Sequence, residues 1–280
     1  LALMKSEAIA KVREAEERFK NAELQAAQFS IQLSNRDLPH PTKLNLTHQP
    51  QTLRQFIEIA EALAQDVFVK EVTFWGCELG PKSGEALATA MLQNQKIESM
   101  SLGNNHIGPA GAVALFRSVA AHSTLCHLDL RQNGLSSDGG LALGRALVKN
   151  TSITSLDVSW NRFGPSGSAA IFDALAKNST LKKLHFDGNE VTPAGSDALA
   201  HGLQCNEGLQ EFYCSWNELG ARGGGAVGAA LVDNVSMTLK TLVLNGNELG
   251  TAGASAIGEG LAHNQSLQHL SLDDNKIESV

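Results

Sequence analysis

Long apolar runs are missing from this chain, and so is any regular pattern of cysteines. No stretch reaches the roughly 20 apolar residues that a membrane-spanning helix needs, so we predict no membrane span. The four cysteines lack framework spacing, which argues against disulfides and favours reduced thiols in a cytoplasmic protein. No signal peptide is visible, but the sequence begins with Leu1 rather than Met, and we expect a piece of a longer protein.

Positive charge is also scarce. The chain has 22 Lys and Arg against 29 Asp and Glu, for a formal net charge of −7. An acidic surface repels the phosphates of nucleic acids and attracts basic partners. Catalytic motifs are equally scarce, because the turns at Gly108 and Gly164 resemble phosphate-binding loops but lack the lysine of a P-loop. We therefore expect no nucleic-acid partner, no cofactor and no enzymatic activity.

What the sequence does contain is a repeat of 28 residues. Each copy carries an asparagine in the same frame of leucines and glycines: Asn105, Asn133, Asn161, Asn189 and Asn217, then, after a two-residue insertion, Asn247 and Asn275. The full units begin at Val69, Ile97, Leu125, Ile153, Leu181, Leu209 and Leu239, and a partial unit begins at Leu267. A fixed period of this length indicates a solenoid of stacked units.

The unit over residues 153–180 shows what each half of a repeat predicts. Leu156 and Val158 indicate a short strand, and Asn161 follows in the bend, where its amide can satisfy buried backbone groups. The second half predicts a helix that begins near Pro165 and carries an apolar stripe. We expect the asparagine at position 26 of most units, here Asn178, to end the helix in a left-handed conformation.

The consensus L-x-x-L-x-L-x-x-N-x-L-G-x-x-G-x-x-x-L resembles the ribonuclease-inhibitor type of leucine-rich repeat. That type includes ribonuclease inhibitor, NOD-like receptors and Ran GTPase-activating proteins. The resemblance implies an α/β horseshoe with a parallel inner sheet and outer helices. We expect about eight repeats over residues 41–280, the last one cut short, after a separate segment over residues 1–40. The consensus residues are structural, so the resemblance says little about function.

The segment before the repeats has the pattern of a helix. Residues 6–33 contain no proline or glycine, and their apolar residues alternate four and three apart, as in a heptad seam. Such a helix can cap the open end of the solenoid, or project from it as a coiled coil or partner-binding helix. Pro39 and Pro41 end the helix and mark the domain boundary near residue 40.

The few large aromatic residues fall on the predicted inner face. Trp75, Trp160, Trp216 and the single tyrosine, Tyr213, occupy positions 5, 7 and 8 of their units, which should face the concavity. Exposed Trp and Tyr are typical of binding hot spots, whereas the alternative is that the rings only cover neighbouring strands. Trp160 and Trp216 flank Gly188, so we expect a gap of about 10 Å between them that a flat group or an Arg or Lys side chain can enter.

Carboxylates are frequent on the same face, where Asp187 is one of eleven acids against four bases. Position 5 forms a row across successive strands: Asp129, Asp157, His185 and Tyr213. Such a row can bind a metal or share a proton. Because Arg131 lies two residues along from Asp129 and can neutralise the pair, we favour an ion network or a row of partner contacts.

These features favour a non-enzymatic scaffold or receptor module that binds a protein partner, of basic character, by its concave face. The candidate contact residues are Trp75, Asp129, Asp157, Trp160, His185, Asp187, Tyr213 and Trp216. The resemblance leaves two alternatives open. One is a GTPase-activating module, with Arg162 as the candidate arginine finger. The other is the sensor domain of a larger NOD-like receptor. In each case the chain can be one component of a large assembly.

Overall fold

The computed structural model describes residues 41–233 and 238–278, which form an open solenoid of alternating strands and helices. In this part of the chain, nine parallel strands make one sheet in chain order. The strands are β1 (Lys43–Asn45), β2 (Glu71–Thr73), β3 (Ser99–Ser101), β4 (His127–Asp129), β5 (Ser155–Asp157), β6 (Lys183–His185), β7 (Glu211–Tyr213), β8 (Thr241–Val243) and β9 (His269–Ser271). The predicted α/β leucine-rich-repeat architecture is confirmed.

One helix lies between each pair of successive strands. The helices are α1 (Leu53–Gln65), α2 (Pro81–Gln93), α3 (Gly108–Val119), α4 (Ser136–Leu147), α5 (Gly164–Leu175), α6 (Ser196–Cys205), α7 (Gly220–Asp233) and α8 (Gly250–His263). A 3₁₀ turn over Pro193–Gly195 leads into α6. No helix in the described ranges is long and apolar enough to cross a membrane.

The repeat length fixes the register of the sheet. Leu128 opposes Leu156, which opposes Leu184, so equivalent residues of successive units stand side by side. The middle residue of β1 to β8 is buried against the helices, and its two neighbours face the other side. We call that other side, opposite the helices, the sheet face. Residues at the same repeat position therefore form straight rows across the sheet face.

A continuous apolar core lies between the sheet and the helices. Beneath β5 to β7 it is filled by phenylalanines. The ring centroids of Phe172 and Phe186 lie 5.1 Å apart, those of Phe163 and Phe186 5.6 Å, and those of Phe172 and Phe212 6.2 Å. All four rings are fully buried. Because such interiors are close-packed, this part of the solenoid is a rigid support for whatever lies on the sheet face.

The asparagines at position 9 form a buried ladder along the solenoid. The Asn161 side-chain amide donates to the carbonyl oxygens of Leu130 (3.0 Å) and Val158 (2.9 Å), and its Oδ1 accepts from the Asn133 N–H (2.9 Å). Cys77 occupies the same position in its own unit, where its thiol donates to the Leu46 carbonyl at 2.8 Å. The predicted role of these asparagines, which is to pair inward-facing backbone groups, is confirmed.

A second asparagine ladder lies at position 26, and here the predicted conformation is wrong. Asn94, Asn206 and Asn264 have φ of −90°, −74° and −89°, which is extended rather than left-handed. Their side chains instead join neighbouring units. The Asn150 amide donates to the Val119 carbonyl at 2.7 Å, and its Oδ1 accepts from the backbone N–H groups of Ser152 and Ile153. The residue type is therefore set by hydrogen bonding across repeats.

His122 takes the place of asparagine in this second ladder. It is buried, and its Nδ1 accepts the Leu125 N–H at 3.1 Å. Burial lowers the pKa of His122 below its ordinary value of 6.5, because the charged ring loses its hydration. A protonated Nδ1 also cannot accept the bond from Leu125. The folded protein therefore holds the neutral ring.

We expect His122→Asn to remove a pH-dependent loss of stability. Above the unfolded pKa of 6.5, both states of the wild-type chain carry neutral His122 and no penalty arises. As pH falls below that value, the unfolded chain gains a proton that the folded chain resists, so the folded state loses stability. The advantage of the variant in melting temperature should therefore widen from pH 7.5 to pH 5. A constant difference would contradict the assignment, and Asn150→His should introduce the same dependence.

The predicted N-terminal helix over residues 6–33 lies outside the described residues, as does Asn234 of the second ladder. The choice between a cap and a projecting helix, and the division of the chain near residue 40, stay predictions.

Candidate functional site

The central row on the sheet face is an ion network. Asp129 of β4 opposes Asp157 of β5, and the Arg131 guanidinium binds both. Its Nε lies 3.1 Å from Asp129 Oδ1, and an Nη lies 3.0 Å from Asp157 Oδ2. The two carboxylates are mostly covered, with 20% and 13% of their side chains exposed. Arg131 therefore bridges the pair, offsets one of its two negative charges and occupies the space between the carboxylates.

The row continues with His185 of β6 and Tyr213 of β7. The two rings are stacked, with centroids 4.2 Å apart and planes 9° apart. The Tyr213 hydroxyl donates to Glu211, which is also paired with Lys183 at 2.8 Å. Burial lowers the pKa of His185, so the neutral ring is favoured. Within the described residues, no group of three or more His, Cys, Asp and Glu is arranged to hold a metal ion.

Asp187 lies two residues beyond His185 and is half-buried. Its Oδ1 accepts the Ser215 N–H at 2.6 Å, which ties the unit of β6 to the unit of β7. Burial raises the pKa of the Asp187 carboxyl. Asp187, which the sequence predicts as a partner contact, is therefore hydrogen-bonded to the backbone of the next repeat.

Trp75 lies flat against the following repeat. A Cβ atom on Gly103, which is 28 residues further along, would lie only 2.0 Å from the Trp75 ring. The other side of the ring is covered by Arg131, whose guanidinium carbon is 5.2 Å from the ring centroid. Trp75 therefore contacts the ion network of Asp129 and Asp157 through Arg131, which is the cation over its ring.

Trp160 and Trp216 also pack on a glycine of the following repeat, but they occupy position 8 rather than position 7, and no cation lies over either ring among the described residues. A Cβ on Gly188 would lie 2.2 Å from the Trp160 ring, and a Cβ on Gly246 would lie 2.4 Å from the Trp216 ring. The Trp160 ring therefore lies on Gly188, and the expected gap is the space between this ring and Trp216. Both tryptophans are nevertheless half-exposed, at 49% and 51%. The rings cover the next strand and also present a broad aromatic surface.

The backbone of both tryptophans is strained. Trp160 has φ of 61° and Trp216 has φ of 58°, in the left-handed region that bulky residues rarely adopt. Position 8 is left-handed in every unit from Val69 onward; other units place Gly76, Asn104, Gln132, Gly188, Gly246 or Asp274 there, and Gly and Asn tolerate that region best. A conformation of this kind costs about 1–3 kcal/mol and is common at binding sites.

A depression of about 340 Å³ lies between the two tryptophans. It is lined by Trp160, Arg162, Gly188, Glu190, Trp216 and Glu218. Glu190 and Glu218 form no ion pair with any residue in the described ranges, and the same holds for Arg162. These two glutamates are not among the contact residues predicted from the sequence. Glu190 lies two residues beyond Gly188, and Glu218 lies two residues beyond Trp216, so the repeat register carries the signal that places both beside the tryptophans.

Comparison with known proteins identifies the repeats. A family model described as "Leucine Rich repeat" matches residues 93–116, 121–144, 149–172, 177–200, 235–258 and 263–280. Comparison with curated proteins gives no match. The match supports the leucine-rich-repeat family, while the narrower ribonuclease-inhibitor type stays a prediction.

Two solved structures resemble parts of the chain. One is "Leiomodin-1 Actin-Binding Site 2 (ABS2)", at 22% identity over 63% of this chain and 88% of that chain, with a TM-score of 0.39. The other is the tropomodulin C-terminal domain of Caenorhabditis elegans, at 21% identity over 54% of this chain and 93% of that chain, with a TM-score of 0.43. Scores this low do not bear on function. The repeat matches and the nine-stranded sheet of the described residues together support the leucine-rich-repeat family for this chain.

Proposed function

We propose that this chain is a non-enzymatic protein-interaction module that binds a basic partner on its sheet face, around Trp160 and Trp216. The leucine-rich-repeat array points to an interaction domain. The observation that carries the proposal is the pair of half-exposed tryptophans held in strained backbone over glycines. A ring that only covered the neighbouring strand would fit equally well at a strand position with ordinary backbone conformation.

The electrostatics of the sheet face support a basic partner. Arg131 offsets one of the two negative charges of Asp129 and Asp157. A further net negative charge lies beside the tryptophans, where Glu190 and Glu218 outnumber Arg162. A rigid surface with exposed aromatic rings and neighbouring carboxylates combines hot-spot residues with electrostatic steering.

The predicted contact residues therefore divide into two groups with different roles. Trp75, Asp129, Asp157, His185, Asp187 and Tyr213 are held by contacts within the chain. We propose that these six shape the sheet face, and that Trp160 and Trp216 contribute most of the binding energy. We place this activity in the cytoplasm, because all four cysteines are free thiols. We also propose that the chain is one component of a larger assembly.

Affinity capture with the full chain tests the proposed function. Trp216→Asn keeps a residue type that tolerates left-handed backbone, so the fold should persist while the ring is lost. We expect the variant to bind the captured partner about 30-fold more weakly, which corresponds to about 2 kcal/mol. Leu92→Ala is the control, since Leu92 is exposed on α2. A partner that is retained by Trp216→Asn and Trp160→Asn but lost by Leu92→Ala would refute the proposal.

A further inference from the structure

We propose that the two tryptophans are paired arginine sites, which bind an extended segment with arginines at positions i and i+3. This inference rests on the proposed function and names the chemistry of the partner. Each site consists of a Trp ring as platform, the glycine beneath it and a nearby carboxylate. Trp160 lies on Gly188 beside Glu190, and Trp216 lies on Gly246 beside Glu218.

The protein contains a related arrangement at position 7, in which an arginine already lies over a tryptophan that packs on a glycine. Trp75 lies on Gly103 and is covered by the Arg131 guanidinium, which is itself paired with Asp129 and Asp157. This arrangement satisfies the cation in two ways, since the ring face attracts it and the carboxylates accept its hydrogen bonds. It shows which side chain fits a tryptophan that packs on a glycine.

At Trp160 and Trp216 the chain supplies the platform but no cation. No Arg or Lys of the described residues lies over either ring, whereas cations do lie over Trp75 and Tyr213. Arg162 lines the depression without an ion pair among the described residues, so its charge opposes a bound cation. The two carboxylates of the depression outweigh it. An incoming guanidinium is therefore the group that completes both sites.

The spacing of the sites selects the conformation of the ligand. Both tryptophans occupy position 8, two repeats apart, and two steps across a parallel sheet span about 9–10 Å. A polyproline II segment rises about 9 Å over three residues and returns to the same face after that turn. In a β-strand, residues i and i+3 face opposite sides. An Arg-x-x-Arg segment in the polyproline II conformation therefore matches both sites at once.

Titration with synthetic peptides tests this assignment. The probe is an acetylated, amidated Arg-Pro-Pro-Arg peptide added to the full chain, followed by isothermal calorimetry. We expect saturable binding that weakens at least tenfold when either arginine is replaced by citrulline, which keeps the shape but loses the charge. A peptide with adjacent arginines, Pro-Arg-Arg-Pro, should bind at least tenfold more weakly as well, because it reaches only one platform.

Charge variants of the depression locate the binding. Glu190→Gln and Glu218→Gln should each weaken the diarginine peptide several-fold, and Arg162→Gln should strengthen it. Glu78→Gln is the matched control, because Glu78 occupies the same repeat position and also has left-handed backbone, at φ of 59°, but lies far along the solenoid. A purely structural role of these residues would not give opposite effects for the acids and the arginine.

The outcomes separate this inference from the proposed function. No saturable binding of Arg-Pro-Pro-Arg, or equal binding of the citrulline peptides, overturns the arginine assignment. If Trp216→Asn still loses the captured partner in that case, the proposed function stands with a different ligand chemistry. If the peptide binds and Glu78→Gln weakens it as much as Glu190→Gln does, the location of the site is wrong.

Discussion

Asn161→Ala should lower the free energy of unfolding by about 3–5 kcal/mol. The substitution removes one of the two asparagine donors from each of the Leu130 and Val158 carbonyl oxygens, and it leaves the Asn133 N–H without its acceptor. These groups are enclosed by neighbouring repeats, and each buried polar group without a partner costs about 1–3 kcal/mol. Urea denaturation followed by circular dichroism measures the effect.

Asn104→Gly is the control for this prediction. Asn104 is exposed, has φ of 54° and occupies position 8, where other units carry glycine. Glycine adopts that conformation freely, so the control should unfold close to the wild-type midpoint. If Asn161→Ala unfolds at the same urea concentration as Asn104→Gly, the ladder at position 9 does not stabilise the fold.

The sequence predicts the fold well because the repeat applies the same constraint many times. A strand followed by asparagine, as at Leu156 and Asn161, implies both a buried face and a bend with backbone groups to satisfy. The error at position 26 has a physical origin, since Asn94 and Asn206 stand where left-handed helix ends are common. Their side-chain bonds reach carbonyls in the preceding repeat, and no local pattern carries that information.

The candidate site was only partly predictable. The row of Asp129 and Asp157 follows from the repeat register, and so does its pairing with Arg131. The direction in which a ring folds does not follow from register, so the packing of the Trp160 ring on Gly188 was not predictable. Each tryptophan is followed one repeat later by a glycine, which leaves room for the ring. The sequence alone does not show that the ring packs on that glycine.

Gly224→Ala should destabilise the protein by about 1–3 kcal/mol, although alanine favours helices. Helix α7 packs against α8 through this glycine, and a Cβ there would lie 2.5 Å from the Gly253 Cα and 2.8 Å from the Gly253 carbonyl oxygen. Backbone atoms cannot move aside without shifting the helix, and overpacking of this kind is costly. Because the Trp216 ring lies on Gly246 across the same two repeats, the shift should also change tryptophan fluorescence.

Gly225→Ala makes the same chemical change one residue away and should have the opposite sign. No atom lies within 4 Å of a Cβ at Gly225, so the methyl group meets open space. Alanine then stabilises α7 by about 0.5–1 kcal/mol, because glycine loses more backbone entropy on folding. Thermal unfolding of both variants measures the difference. If both rise in stability, the two helices can separate without cost, and the close approach at Gly253 does not hold the Trp216 platform in place.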